Sequence, residues 1–278
     1  MGVFFGLLAA LGWGGGDFAL SRISRRIGPL ATLLYLQAAG MLSIGLVLLA
    51  RRELPPLDPA LWALGVAVNT LNVAGTLFLY RALAVGTVMI VSPICASFAV
   101  VTAGLAMLGG ERLAPVTLAG VALVMAGVVV VSRGGGGEPV ALKGVPAALS
   151  AALAYGVFFF LLGPVTAGLG IAWPIFIGRV MACGLAALAL LWRRQRPAPL
   201  SPRLLGMIAI ATSLDTIGFL AYNIGIATAY VSVVTALASI FSAVTVLLAW
   251  VLLRERLVRV QWAGVVAVLV GVLLVSLR

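Results

Sequence analysis

The sequence contains no histidine, only two cysteines and few charged residues. Histidine is the commonest metal ligand and the commonest general base near neutral pH, so its absence removes the usual means of building a metal centre or an acid–base enzyme. Cys95 and Cys183 fall inside apolar runs without CxxC or zinc-type spacing, so we expect neither a disulfide framework nor a zinc site. A phosphate-binding loop and a Ser or Cys nucleophile beside a recognisable base are missing too. We therefore predict that the protein is not an enzyme and has no catalytic residue, metal or cofactor.

Hydrophobic residues, by contrast, make up 63% of the 278 residues, and charged residues only 9%. No soluble domain buries so much apolar surface. Apolar runs of about 20 residues, the length that crosses a bilayer, follow one another with short connectors between them. The predicted fold class is an all-α integral membrane protein whose partner is the lipid bilayer, with ten transmembrane helices near 3–21, 29–50, 60–80, 86–108, 114–132, 144–163, 171–192, 204–223, 231–253 and 259–277.

Basic residues give the chain a formal charge of +11, and they lie almost wholly in the loops between these spans. This distribution indicates membrane orientation rather than nucleic-acid binding. One side of the membrane receives thirteen of the loop and terminal Lys and Arg residues, and the other receives only Arg51, Arg52, Arg112 and Arg278. The richer side is expected to be cytoplasmic, which places both termini outside. The first run has no basic segment before it and is predicted to be a retained span.

The chain also repeats itself. A glycine-rich segment at 134–143 separates a first five-helix unit, 1–133, from a second, 144–278. At a spacing of 142 Trp13-Gly14 falls on Tyr155-Gly156, and at a spacing of 144 Glu111-Arg112-Leu113 falls on Glu255-Arg256-Leu257. Because five is odd, the second unit must enter the membrane in the opposite sense. The pattern predicts two inverted-topology repeats around a central cavity.

These residues resemble the EamA-type transporters of the drug/metabolite transporter superfamily. The resemblance rests on the Glu-Arg-Leu block before a glycine-bearing span in each half, and on Trp13, Gly14, Asp17 and Phe18 in the first span. Within the superfamily the chain looks most similar to YddG-type bacterial exporters of amino acids. The resemblance implies ten helices around a cavity that opens alternately to either side of the bacterial cytoplasmic membrane, and export of small metabolites.

Polar side chains in the apolar spans are the first candidates for a cavity lining. Asn69, Asn72, Thr76 and Tyr80 recur at steps of three and four and share one face of span three. Span nine repeats the pattern with Ser232, Thr235, Ser239 and Ser242, and Ser92 precedes Pro93 in span four. Such residues also join helices by hydrogen bonds without binding any ligand. Both interpretations remain open from the sequence.

Three charged residues lie well inside the spans: Asp17, Arg179 and Asp215. Each costs roughly 2.5–3.5 kcal/mol at the bilayer centre unless it has a partner or a wet cavity. Arg179 and Asp215 could form a structural ion pair, or could bind a carboxylate and an ammonium group or proton respectively. Their counterparts in the first half are Gln37 and Val73, so the charges break the repeat. Asp17 follows a flexible Gly14–Gly16 run near the expected cytoplasmic mouth, where it could instead pair with Arg22 or Arg25.

Aromatic residues form the last candidate group. Trp13 and Tyr155 occupy equivalent positions in spans one and six, and Phe158, Phe159 and Phe160 follow Tyr155. They could close a gate by packing, or form a wall that suits apolar or aromatic substrates and organic cations.

Spans five and ten are aliphatic with glycines one heptad apart, which is typical of peripheral helices or of a homodimer interface. The predicted function is alternating-access export of amino acids, including aromatic and apolar ones. The alternatives are a cationic drug, a nucleotide-sugar or a sugar phosphate as substrate, or a non-transporting assembly role.

Overall fold

The computed structural model describes residues 2–54, 56–108, 114–133, 143–228, 234, 237–254 and 257–276, and the regular structure in these ranges is helical. The helices are α1 (Gly2–Ile27), α2 (Pro29–Arg51), α3 (Pro59–Val85), α4 (Val88–Ala96), α5 (Phe98–Leu108), α6 (Pro115–Arg133), α7 (Val145–Leu169), α8 (Trp173–Trp192), α9 (Pro202–Thr228), α10 (Phe241–Leu248), which a π-helical turn (Ala249–Leu253) extends, and α11 (Arg259–Ser276). Outside the described residues lie the linker at 134–142, both Glu-Arg pairs (Glu111-Arg112 and Glu255-Arg256), Leu113, Ser232 and Thr235.

Among the described residues, six helices are long and apolar enough to cross a membrane, namely α1, α2, α3, α7, α8 and α9. The remaining apolar helical stretches are shorter: Val88–Thr102, Leu118–Gly127, Phe241–Leu253 and Trp262–Leu274. Expected spans four and nine are both interrupted. Span four breaks between α4 and α5 at Ser97, and span nine has a turn at Ser239 and Ile240 before α10. The two breaks correspond, since Ser97 directly precedes Phe98 and Ile240 directly precedes Phe241, and these two phenylalanines lie against Gly156 and Gly14 respectively.

Several helices extend beyond the apolar windows. The first and sixth windows end at 21 and 163, whereas α1 continues to Ile27 and α7 to Leu169. Hydropathy falls at the arginines of α1, but helical hydrogen bonding does not depend on hydropathy and continues through them. Pro164 likewise stays inside α7. The extension of α1 carries Arg22, Arg25 and Arg26 past the end of its apolar segment.

The helices pack in pairs, and each pair takes one helix from the first half and one from the second: α1 lies against α9, α3 against α7, α2 against α8 and α6 against α11. Several contacts occur twice with the halves exchanged. Thr102 Oγ1 donates to Gly156 O at 2.9 Å, and Thr245 Oγ1 donates to Gly14 O at 3.1 Å. A Cβ atom at Gly127 would lie 2.8 Å from Gly264 O, and one at Gly271 would lie 2.8 Å from Gly120 O. The glycine faces of α6 and α11 therefore pack on each other within one chain.

The interior of the bundle is formed by α4, whose residues are all buried. Ile90 and Ile94 belong to an apolar cluster that includes Leu83 of α3 and Val145 of α7. A second cluster surrounds Trp13 of α1. The side chains on the outer faces of α2 and α8 are exposed leucines, as expected for surfaces that meet lipid. Some of the polar side chains face a central cavity, and others lie in helix contacts.

Candidate functional site

The first of two adjoining cavities, here the polar chamber, lies between α1, α2, α3, α7, α8 and α9 and contains about 680 Å³ of empty and open space. The structure brings eight of the sequence-predicted candidates to its wall: Asp17, Gln37, Asn72, Thr76, Tyr80, Tyr155, Arg179 and Asp215. These residues come from both halves of the chain, so neither half forms the chamber alone.

Arg179 is the central charged group of the polar chamber, and only 5% of its surface is exposed. Its Nη2 forms an ion pair with Asp215 Oδ2, and its Nη1 donates to Gln37 Oε1 at 2.8 Å. The guanidinium fits against α2 because residue 40 is glycine: a Cβ atom there would lie 2.8 Å from Arg179 Nε. Phe219 adds a cation–π contact, with Cζ 5.5 Å from the ring centroid.

Part of the hydrogen-bonding capacity of the chamber is unused. Among the described residues, Arg179 Nε has no hydrogen-bond partner, and neither do Asn72 Oδ1 and Asn223 Oδ1. All three atoms are buried and belong to residues of the chamber wall. A buried polar group costs about 1–3 kcal/mol when it has no partner. The wall therefore contains one charged donor and two neutral acceptors that lack a protein partner.

Asp17 lines the chamber beside Asp215, and both residues also line the second cavity. The close approach of α1 and α9 depends on Gly12, since a Cβ atom there would lie 2.6 Å from Leu214 O. Arg25 lies further along α1, where its Nη2 donates to Gly86 O at 2.7 Å and its Nε to Leu83 O at 3.2 Å. The chamber thus combines two carboxylates with one guanidinium.

The amide wall of the chamber comes from α3. Asn72 donates from Nδ2 to Asn69 Oδ1 at 3.3 Å, and Asn69 donates from Nδ2 to Gly65 O at 2.9 Å. One turn further, Thr76 Oγ1 accepts a hydrogen bond from Tyr155 Oη at 3.1 Å. This last bond joins α3 to α7 across the chamber and positions the Tyr155 ring between the two cavities.

The second cavity, here the aromatic chamber, contains about 450 Å³ of empty space. Its wall carries six aromatic side chains: Trp13, Phe98, Tyr155, Phe159, Phe219 and Phe241. Phe159 lies 4.7 Å from Phe98 and 5.9 Å from Trp13, measured between ring centroids. The predicted aromatic residues Trp13, Tyr155 and Phe159 therefore form one surface, which adjoins the two carboxylates.

Four sequence candidates lie away from the chamber walls: Asn69, Ser92, Ser239 and Ser242. Each is at least 98% buried. Asn69 packs against α8, where a Cβ atom at Gly178 would lie 2.5 Å from its Oδ1. Ser242 donates to Ser239 O at 3.3 Å, within its own segment. These side chains occupy helix contacts because the bundle closes over their faces.

Sequence reasoning missed Asn223 and Phe219 of the polar chamber and Phe98 and Phe241 of the aromatic chamber. A signal for the first two was present, because Phe219 and Asn223 continue the stripe that begins at Asp215 in steps of four. The other two lie on short helices that are apolar all round, so periodicity could not single them out.

Comparison with known proteins gives the family. The model of the EamA-like transporter family matches residues 1–133 and 142–277. A solved structure titled "Crystal structure of protein" has a TM-score of 0.68 and 19% sequence identity, over 98% of this chain and 95% of that one. That likeness shows a shared fold. No curated protein matches the chain. The family consists of membrane transporters of small molecules, which agrees with the apolar helices and the enclosed polar cavity. The chain belongs to the EamA-like transporter family.

Proposed function

We propose that this protein exports amino acids, including aromatic and apolar ones, from the cytoplasm by alternating access, as YddG-type exporters do. In this proposal the chain spans a bacterial cytoplasmic membrane ten times, with both termini outside. Residues 1–133 and 144–278 form inverted repeats joined by 134–143. A homodimer through the outer faces of α6 and α11 remains a further prediction.

Two observations support the inverted repeat. The family model matches two stretches of nearly equal length, and the contacts of Thr102 with Gly156 and of Thr245 with Gly14 exchange the halves. The backbone repeats as well, since Gly28 and Gly170 have φ of 81° and 79°. Units related in this way are typical of carriers that bind substrate between their repeats near the bilayer midplane.

The observation that best supports an amino-acid substrate is the arrangement of charged groups around Arg179. Its unpartnered Nε offers a donor to a carboxylate, while Asp215 and Asp17 offer negative charge to an ammonium group. The aromatic chamber opens beside these carboxylates and would receive an apolar or aromatic side chain. A zwitterion places its two charges a few ångströms apart, which suits a site where the opposite charges already form a pair.

Binding would exchange one ion pair for two. The Arg179–Asp215 pair opens, the substrate carboxylate takes the guanidinium, and its ammonium group takes the Asp215 carboxylate. After the exchange both Arg179 and Asp215 have a charged partner, which keeps low the desolvation cost that a single buried charge incurs. The glycine run of α1, which weakens that helix beside the chambers, gives it freedom to bend as the cavity changes its opening.

Four related molecules test this assignment. Phenylalanine carries both charges, phenylalaninamide lacks the carboxylate, N-acetylphenylalanine lacks the ammonium group, and alanine lacks the ring. A ligand that binds the folded state raises the melting temperature of the purified protein. We expect the largest rise with phenylalanine and saturable phenylalanine flux in proteoliposomes. Equal stabilisation by N-acetylphenylalanine, or no flux of any amino acid, would contradict the proposal.

An organic cation is the second candidate, because the chambers contain two carboxylates and one guanidinium. Phosphorylated substrates fit poorly, since a phosphate dianion usually requires several basic residues and only Arg179 faces the polar chamber among its described lining residues. Phenethylamine has the ring and the amine without the carboxylate. If it stabilises the protein more than phenylalanine does, the cation becomes the better assignment.

Substitution of Asp17 tests whether transport is coupled to protons. If its carboxylate carries a proton across the membrane, Asp17→Asn will abolish the dependence of flux on a pH gradient while leaving exchange between equal substrate pools. Asp58→Asn is the matched control, because Asp58 caps α3 through Ala60 N at 2.8 Å, away from the chambers. Flux that is insensitive to the gradient in the wild type would indicate a facilitator.

A further inference from the structure

A third cavity, separate from both chambers, opens on the surface where α1 ends and α2 begins. This basic groove is bounded by α3, by the end of α8 and by the segment that follows α8, and contains about 1,520 Å³ of empty and open space. Four exposed arginines line it: Arg26, Arg81, Arg193 and Arg196. Its described lining residues include no carboxylate.

The floor of the basic groove is apolar. Leu77, Phe78 and Val85 lie with Arg81 along one stripe of α3, and Phe78 and Val85 expose 38% and 48% of their surface. Leu190 of α8 contributes to the same floor. Arginines at the rim of an exposed apolar surface combine the two features of a lipid site: charge for the headgroup and hydrocarbon for the chains.

The start of α2 adds to the positive character of the groove. Gly28 precedes α2 and has no side chain to cap it, and Pro29 occupies the first turn. The backbone N–H groups of the next two residues, Leu30 and Ala31, belong to the unsatisfied donors of a helix N-terminus, and both residues line the groove. Tyr35 Oη donates to Ala198 O at 2.5 Å and holds the arginine-bearing segment against α2. Helix N-termini of this kind bind phosphate.

The repeat provides an internal comparison. Residues 142 positions away from those of the groove lie at the opposite end of the bundle. There Arg51 corresponds to Arg193 and Glu53 to Gln195. The residues that correspond to Arg26, Arg81 and Arg196 are uncharged: Gly168, Asn223 and Leu54. Repeated architecture therefore does not account for the four arginines at one end.

We propose that the basic groove binds the phosphate headgroup of an anionic phospholipid, with the acyl chains against the α3 stripe. Arginine forms paired hydrogen bonds to phosphate oxygens, and juxtamembrane arginines are attracted to anionic leaflets. The side that carries the groove is the one that the loop charges predict to be cytoplasmic, where anionic lipids act on basic residues.

Native mass spectrometry of the full chain tests the proposal, with titration of phosphatidylglycerol and phosphatidylcholine into the detergent-solubilised protein. We expect phosphatidylglycerol to bind at least tenfold more tightly. Each arginine removed is expected to lower that affinity about fivefold, so the double variant Arg81→Gln, Arg193→Gln should lose roughly 25-fold. The matched control is Arg51→Gln, Arg52→Gln, which removes two arginines from the opposite end and should change the affinity less than twofold.

Three outcomes would overturn the proposal: equal affinity for the two lipids, an equal loss in the control variant, or displacement of the lipid by soluble glycerol phosphate at the concentration of the lipid itself. The last result would assign the groove to a free phosphate. If the double variant does not remain monodisperse, the single variant Arg196→Gln replaces it, because Arg196 lies outside the helices. A loss of phosphatidylglycerol affinity of less than twofold in this variant would contradict the proposal.

Discussion

The two halves of the molecule pack alike and differ in chemistry. At the chambers the first half contributes amides, a glycine-rich helix and one carboxylate, whereas the second contributes the Arg179–Asp215 pair and the Phe159 ring. Helix contacts follow the repeat closely: Gly75 receives the Tyr155 ring in one half, and Gly218 receives the Trp13 ring in the other.

This difference teaches which positions serve the fold and which serve the site. Some glycines at helix crossings are matched in both halves, as Gly75 and Gly218 are, because each allows the same close approach of an aromatic ring. Residues that face the cavity are free to differ, and a substrate with two unlike ends requires that they do. Substitutions that make the two halves alike at the cavity, or unlike at the helix crossings, therefore distinguish effects on transport from effects on stability.

The largest effect is expected from Asp215→Asn. Arg179 stays charged and is only 5% exposed, so losing the paired carboxylate leaves a buried charge. We expect a loss of about 3–5 kcal/mol in the free energy of unfolding, measured by denaturant titration in detergent. Arg179→Gln should cost less, because Asp215 is 27% exposed and can be hydrated through the cavity. Equal losses in the two variants would contradict this account.

The next effect concerns transport. The double variant Arg179→Gln, Asp215→Val gives the second half the residues that the first half has at positions 37 and 73. Removing both charges leaves none uncompensated, so we expect stability within about 2 kcal/mol of the wild type. Flux in proteoliposomes should fall about 100-fold, because the recognition charges are gone. Undiminished flux from this well-folded variant would make the ion pair purely structural.

Substitution of the matched glycines Gly75 and Gly218 should have a smaller effect, on the free energy of unfolding. A Cβ atom at Gly218 would lie 2.6 Å from the Trp13 ring, and one at Gly75 would lie 2.8 Å from the Tyr155 ring. Gly218→Ala is expected to cost about 1–3 kcal/mol of unfolding free energy. Gly75→Ala should cost less, because Tyr155 is the less buried ring and can move into the chamber.

Gly206→Ala is the control for this pair. Residue 206 lies on α9, as Gly218 does, and a Cβ atom there has nothing within 4 Å. Alanine should stabilise the helix there by up to about 1 kcal/mol. The argument fails if Gly206→Ala and Gly218→Ala lower the unfolding midpoint equally.

The smallest effect is expected in substrate preference. Phe159 faces the aromatic chamber, whereas its neighbour Phe160 is 39% exposed on the outside of α7. Phe159→Ala should lower the affinity for phenylalanine relative to alanine about three- to tenfold, through lost ring contacts. Phe160→Ala should leave that ratio unchanged. The two affinities can be read from ligand-dependent thermal stabilisation, and a change with Phe160→Ala alone would place the binding surface elsewhere.

The sequence predicted the helical architecture well, because apolar runs separated by charged loops are a strong and local signal. It located Asn72, Thr76 and Tyr80 correctly on one stripe of α3. Asn69 belongs to that stripe by spacing, yet it lies in the α3–α8 contact, because the bundle closes over the stripe at that level. Periodicity gives the face of a helix, but where the cavity ends depends on the neighbouring helix.

Other features had no local signal. The interruptions at Ser97 and at Ser239 and Ile240 involve neither glycine nor proline, so the chain gives no breaker to read. Phe98 follows the first interruption and Phe241 the second, and both rings reach the aromatic chamber because the helix restarts there. Those positions depend on tertiary packing rather than on sequence pattern.

The hydrogen bond between Arg179 and Gln37 has an evolutionary consequence. The two residues are separated by 142 positions, the spacing of the repeat, so each is the other's counterpart. In an ancestral pair of identical, separately encoded chains, the same residue would meet its own copy here, and two guanidinium groups would repel each other across the symmetry axis. The two copies must differ in sequence before an arginine can face a neutral amide at this contact. A binding site with this polarity therefore requires two unlike halves, and a single chain that carries both brings them together in a fixed one-to-one ratio.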